Sequence, residues 1–105
     1  MLHSDRRSVL YAQSEQWDRR IGWVRLDRPD AYDHDFAAIG FREAPQLHRL
    51  QTSDFNGWWM CAIPVALLRR AGLAMPMFIK GDDVEFALRA AEYGVETVSV
   101  PGIAL

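Results

Sequence analysis

Residues 80–94 read KGDDVEFALRAAEYG, and the adjacent aspartates Asp82 and Asp83 are the groups best suited to chemistry. They follow the apolar run MPMFI and stand at the start of an amphipathic stretch. Carboxylates in a first helical turn are favoured by the helix dipole and satisfy orphan N–H groups. One aspartate is enough for that task, and the second adds like-charge repulsion. Two readings stand side by side. The pair is either a capping residue with a solvated neighbour, or two carboxylates at the end of an α/β strand, where ligands commonly bind. In the second reading one carboxylate takes a proton from a hydroxyl as general base. The other hydrogen-bonds the same substrate.

A second constellation is FNGWWMC, with Trp58 and Trp59 adjacent. In a strand, successive side chains point to opposite faces. One tryptophan then joins the core, and the other meets a second layer or a pocket. An indole face stacks on a sugar ring while its N–H donates a hydrogen bond. The alternative is that both are core aromatics of a two-sided sheet. Gly57 permits close backbone approach at this point. The stretch YDHDF offers Asp33, His34 and Asp35, but three consecutive side chains of a strand cannot all face one ion, and D-x-D alone is a weak metal pattern. His3 and His48 read as isolated surface residues. The sequence holds no P-loop, dinucleotide-binding glycine fingerprint, Ser/His/Asp set or cysteine cluster.

The elements that position these groups must fit into 105 residues, enough for one small domain. Half the residues are hydrophobic, a quarter are charged and the net charge is -2, so there is no basic field to attract nucleic acid. The single cysteine, Cys61, excludes an internal disulfide, suits a reducing compartment and sits where it would pack as a small hydrophobe. No apolar run reaches the roughly 20 residues of a membrane span, and the first residues lack a signal peptide's apolar core. The final VSVPGIAL reads as a cut through a longer protein, which would leave an exposed apolar edge.

Val9–Gln13 and Ile21–Leu26 lean towards strand and are expected to pair antiparallel, with a polar connection at Ser14–Arg20. Residues 27–54 lack periodicity and read as a long loop with one helical turn. GWWMCAI (57–63) fits a buried strand. Pro64 starts a short helix with Val65, Leu67 and Leu68 inward, ended by Gly72. MPMFIK (75–80) reads as a second short strand. The helix from Asp82 carries Val84, Leu88 and Ala91 as one stripe with Ala87 beside it, and Gly94 ends it. VETVSV (95–100) reads as the last strand. Strand–helix–strand–helix–strand predicts an α/β sheet.

Four stretches in this order, YDHDF, FNGWW, PMFIKGDD and LRAAEYGVETVSVPG, resemble the bacterial galactofuranosyltransferases that polymerise cell-wall galactan in actinobacteria. The likeness covers most of the chain and is densest from Asp54 to Leu105. It implies an inverting family 2 glycosyltransferase with a GT-A (nucleotide-diphospho-sugar transferase) fold, a mixed sheet with flanking helices. Residues 1–105 would be a single partial domain, the acceptor-binding half. The resemblance makes Asp83 the catalytic base, and Asp82, Trp58 and Trp59 acceptor-binding residues. It implies UDP-galactofuranose and a galactan acceptor as partners, and a divalent metal, manganese or magnesium, whose ligands are missing from this chain. The parent would be cytoplasmic, at the cytoplasmic face of the membrane, and oligomeric, and the isolated chain inactive. The family carries a bulky aromatic where Gly81 stands, a departure that bears on site width and acceptor choice. Two other readings remain: a family 2 glycosyltransferase acting on another polysaccharide, and a non-catalytic glycan-binding remnant.

Overall fold

A computed structural model describes residues 2–26, 28 and 32–100. Its strands pair two by two. Strand β1 (Val9–Ala12) lies antiparallel to β4 (Tyr32–Asp35), with Leu10 opposite His34. Strand β2 (Glu15–Asp18) forms a hairpin with β3 (Trp23–Leu26). Its turn is closed by the Gly22 N–H on the Asp18 carbonyl (2.8 Å) and by the Arg20 N–H on the Asp18 carboxylate (2.9 Å). Gly22 has φ +64°, the left-handed conformation that glycine adopts without a Cβ clash. Strand β5 (Gln51–Ser53) pairs antiparallel with β6 (Thr97–Ser99).

The architecture is α/β, and all three ladders among the described residues are antiparallel, so no mixed sheet forms there. The expected pairing of Val9–Gln13 with Ile21–Leu26 is corrected. The polar connection between them contains β2, which takes β3 as partner and leaves β1 to β4. The 27–54 stretch, expected as a loop, carries β4, β5 and two 3-10 turns, Phe41–Glu43 and Pro45–Leu47. The expected strands at 57–63 and 75–80 do not form. Both are continuous apolar runs, which suit a strand covered on both faces, and neither finds a pairing partner among the described residues.

Helix α1 (Val65–Ala71) follows Pro64 and ends at Gly72, as expected, but turns only Leu67 fully inward and leaves Val65 exposed. Helix α2 (Asp82–Glu92) contributes to two of the core clusters. Val84 and Ala87 join Phe55, with Trp17, Val24 and Leu88 around them. Phe86 and Ala90 join Leu67, with Ile63, Leu68 and Val95 around them. Two clusters thus use two sides of one helix, each by i, i+3 or i, i+4 spacing. The single stripe expected through Ala91 is corrected, because Ala91 is exposed and Phe86 is buried. A third cluster, Leu10, Ala44 and Leu47 with Phe36, lies under β1 and β4.

Candidate functional site at the start of helix α2

Gly81 is the N-cap of α2 at φ +99°, and it has no side chain to cap with. A Cβ there would meet only the end of Met77, at 3.8 Å. Backbone conformation, not crowding, is therefore what favours glycine at this position. Asp82 and Asp83 follow as the first two helical residues, both half-buried. The Val84 N–H donates to the Asp83 carboxylate at 2.8 Å, which satisfies one orphan donor of the first turn. The Asp82 side chain makes no hydrogen bond or ion pair among the described residues. The first-turn bond therefore falls to Asp83, and Asp82 keeps its acceptors free.

The charge of Asp83 acts on a residue that sequence reasoning did not single out, Glu15. Glu15 and Trp17 share one face of β2 by strand alternation. Trp17 packs with Phe55 and Val84, its ring edge-on to Phe55 at 6.5 Å. That contact sets β2 against α2. Burial pushes the Glu15 carboxyl above its ordinary range, a hydrogen bond from the Tyr11 hydroxyl opposes this, and the charge of Asp83 adds to the rise. Tyr11 is raised in turn by burial, then by the charge of Glu15. The Glu15 backbone is fixed: its N–H donates to the Ser53 hydroxyl at 3.1 Å, and its carbonyl accepts from the Asp54 N–H at 3.2 Å. The Trp17 N–H donates to the Asp54 carboxylate at 2.7 Å. Glu15 carried no sequence signal, because it sits in a stretch that reads as a polar connection.

The tryptophans do not lie in a strand, and neither is core. Trp58 is 40% exposed and sets its ring edge against Phe86 of α2 at 5.9 Å. Trp59 is 65% exposed and lies over the backbone of Gly57. A Cβ on Gly57 would fall 2.4 Å from the Trp59 ring, so glycine is what lets the indole lie there. Trp58 lines a cleft of about 480 Å³, with Asn56, Cys61, Phe86, Ala90 and Val98 among the other walls. Asp82 and Asp83 do not line it. Trp58 is thus joined to the aspartates through the body of α2, with no direct ring contact or hydrogen bond between them.

Residues 33–35 diverge, as their alternation requires. Asp33, with φ +53°, takes His3 at 3.0 Å and Arg6 at 3.2 Å. His34 reaches the Ile39 carbonyl at 2.8 Å, and Asp35 accepts from the Ala37 N–H at 2.9 Å. Among the described residues no three His, Cys, Asp or Glu side chains come together to hold a metal ion. His3 and His48, expected to be isolated, are both engaged. The His3 ring meets Tyr11 edge-on at 5.5 Å, and His48 Nε2 lies 2.6 Å from the Phe41 carbonyl. Cys61, expected to be packed, is an exposed free thiol. Among the described residues no helix is long and apolar enough to cross a membrane.

No protein-family model matches this chain. Along its full length it is similar to two curated proteins, each named galactofuranosyltransferase GlfT2. The identity is 41% over 111 residues with that of Mycolicibacterium smegmatis and 40% over 110 residues with that of Mycobacterium tuberculosis. The matches cover 100% of this chain and 17% of each relative, so it spans about a sixth of their length. The resemblance carried by the sequence motifs is shown by these matches.

Proposed function

We propose that this chain is the acceptor-side segment of a galactofuranosyltransferase, which moves galactofuranose from UDP-galactofuranose onto a growing galactan. The observation that carries this reading is the 40–41% identity along the whole chain to two proteins of that name. The reading includes a partial GT-A fold of which residues 1–105 are the acceptor-binding half.

The chemistry follows from the groups at α2. Displacement with inversion at an anomeric carbon forms a bond from an acceptor hydroxyl oxygen and breaks the bond to the diphosphate. The hydroxyl proton needs an acceptor near neutral pH. Asp83 is the base in this reading, held at the helix start where the dipole keeps negative charge favourable. Asp82, with its oxygens free, hydrogen-bonds the acceptor sugar. Trp58 and Trp59 offer indole faces to sugar rings, and their exposure supports that use. The diphosphate leaving group and the manganese or magnesium ion that the resemblance implies belong to residues outside this chain, and no step here runs through them. The reading also carries a cytoplasmic location at the inner face of the membrane and an oligomeric parent.

The test is a chimaera of the M. smegmatis relative in which residues 1–105 replace the matched segment. It is supplied with UDP-galactofuranose and a short galactan acceptor. The reading expects galactofuranose incorporation. Incorporation only when other sugar nucleotides or other polysaccharides are supplied in their place would favour another glycosyltransferase. Glycan binding without turnover would favour a binding remnant.

A further inference from the structure

The β2–β3 hairpin has two faces, and its register sorts the side chains between them. Trp17 stands opposite Val24, and both pack with Phe55, Val84 and Ala87. Strand alternation then puts Gln16 and Asp18 of β2 and Trp23 and Arg25 of β3 on the other face. Trp23 is directly opposite Asp18, and Arg25 is directly opposite Gln16. Trp23 is 67% exposed and makes no ring contact among the described residues. The Asp18 carboxylate accepts from the Arg20 N–H through one oxygen, at 2.9 Å, and keeps the other. The Gln16 amide nitrogen donates to the Thr52 carbonyl at 3.2 Å, and its oxygen remains an acceptor. Arg25 is exposed, and its guanidinium makes no hydrogen bond or ion pair among the described residues. The turn that carries the ring is closed by the Gly22 N–H on the Asp18 carbonyl at 2.8 Å, which holds the two strands in register.

An indole left open on a sheet face, with an acceptor across from it and a donor beside it, matches the chemistry of a sugar ring. The ring's C–H face covers the indole, and its hydroxyls both give and take hydrogen bonds. A carboxylate and a guanidinium on either side of the indole answer both needs. A lipid phosphate would use Arg25 alone and leave Asp18 against a like charge. A protein interface needs a broader apolar core than one indole with Ile21 in the turn beside it. We propose that this face is a second sugar-binding site, on which Trp23 stacks a ring of the galactan acceptor while Asp18 and Arg25 hydrogen-bond its hydroxyls. The site is on the side of the hairpin turned away from α2, so it holds the glycan chain at a point remote from Asp83. The choice of galactan as the ligand rests on the transferase reading, and the platform itself rests on the register and exposure of the hairpin.

Nuclear magnetic resonance of the ¹⁵N-labelled chain tests it, because the indole N–H signals of Trp17, Trp23, Trp58 and Trp59 report separately. A galactofuranose oligosaccharide is titrated in, with dispersed amide signals showing that the chain is folded. The Trp23 indole should shift and saturate. Trp23→Ala should weaken binding by roughly 10-fold or more, and Trp23→Phe should restore part of it. A Trp23 signal that does not move overturns the proposal, and so do shifts confined to Trp58 and Trp59. A response to phosphatidylglycerol vesicles with none to the oligosaccharide also overturns it, since a lipid surface would then be the occupant. Kinetics of the chimaera give the second measurement, and it decides should the isolated chain or its variant not fold. There Trp23→Ala should raise KM for a long galactan acceptor, with kcat and the KM of a disaccharide acceptor unchanged. An unchanged KM for the long acceptor overturns the platform. Sugar transfer without a Trp23 effect would sink the platform alone, and binding on Trp23 without transfer would sink the transferase reading alone.

Discussion

Gly57→Ala tests whether the exposed Trp59 ring is held in place by a glycine. An added Cβ would lie 2.4 Å from Cζ2, 2.5 Å from Cε2 and 2.7 Å from Nε1 of Trp59. The obstructing atoms are the far end of one side chain, so the ring moves and the backbone does not. The loss is bounded by what the ring now buries. At 65% exposure about a third of it is covered, which is roughly 90 Å² of a side chain that buries up to about 250 Å². At about 25 cal/mol per Å² that is near 2 kcal/mol as an upper limit. Replacing glycine reduces the freedom of the unfolded chain and returns about 0.4–1 kcal/mol. The net cost should be about 1–1.5 kcal/mol, read from urea unfolding. A double-mutant cycle isolates the cause. In a Trp59→Ala background the clash is gone, and Gly57→Ala should become neutral or slightly stabilising. An equal cost in both backgrounds would refute the reasoning and place the constraint in the backbone of Gly57.

Three further outcomes follow from the packing and charges. Phe55 is buried between Trp17 and α2, so Phe55→Ala should cost about 3–5 kcal/mol. A small domain has about 5–15 kcal/mol in all, and circular dichroism in urea should show the midpoint collapse. Glu15 titrates in the folded chain above its ordinary value of 4.5, chiefly through burial. The stability it lends is therefore full below pH 4.5 and lost as the pH rises through its raised folded value. Glu15→Gln should be more stable than the parent at pH 7, with the difference vanishing below pH 4.5 in a series of melts. Arg89 holds Glu85 through two contacts, at 2.6 and 3.0 Å, and donates to the carbonyls of Ala71 and Leu73. Arg89→Met should free the end of α1, lowering the melting temperature and speeding amide exchange at residues 71–74.

Local signals carried the helices well. Pro64, Gly72 and Gly94 punctuate the chain where the structure turns, and the aspartate pair does open α2. The strands were legible as apolar runs but not as partners. β1 pairs with β4 through residues that read as loop, because a four-residue strand such as YDHD has no alternation to mark it. β2 hid in a polar stretch, since its ladder is fixed by Ser53 and Asp54 far along the chain. Trp58 and Trp59 read as strand residues because adjacent apolar residues suit a two-sided sheet. No second layer exists among the described residues, and they lie open. Glu15 was invisible for the same reason as β2: only the docking of Trp17 on the Val84 cluster sets its strand against α2.

The account stands most directly on Asp83, and the first measurement is the rate of galactofuranose transfer by the chimaera with and without Asp83→Asn. Amide for carboxylate preserves size and leaves an oxygen for the Val84 N–H. A lost general base should cost roughly 100-fold or more in kcat, with little change in KM for UDP-galactofuranose. Asp82→Asn should instead raise KM for the galactan acceptor. Transfer by Asp83→Asn at close to the parent rate would contradict the account, and leave the aspartate pair as the opening turn of a helix and nothing more.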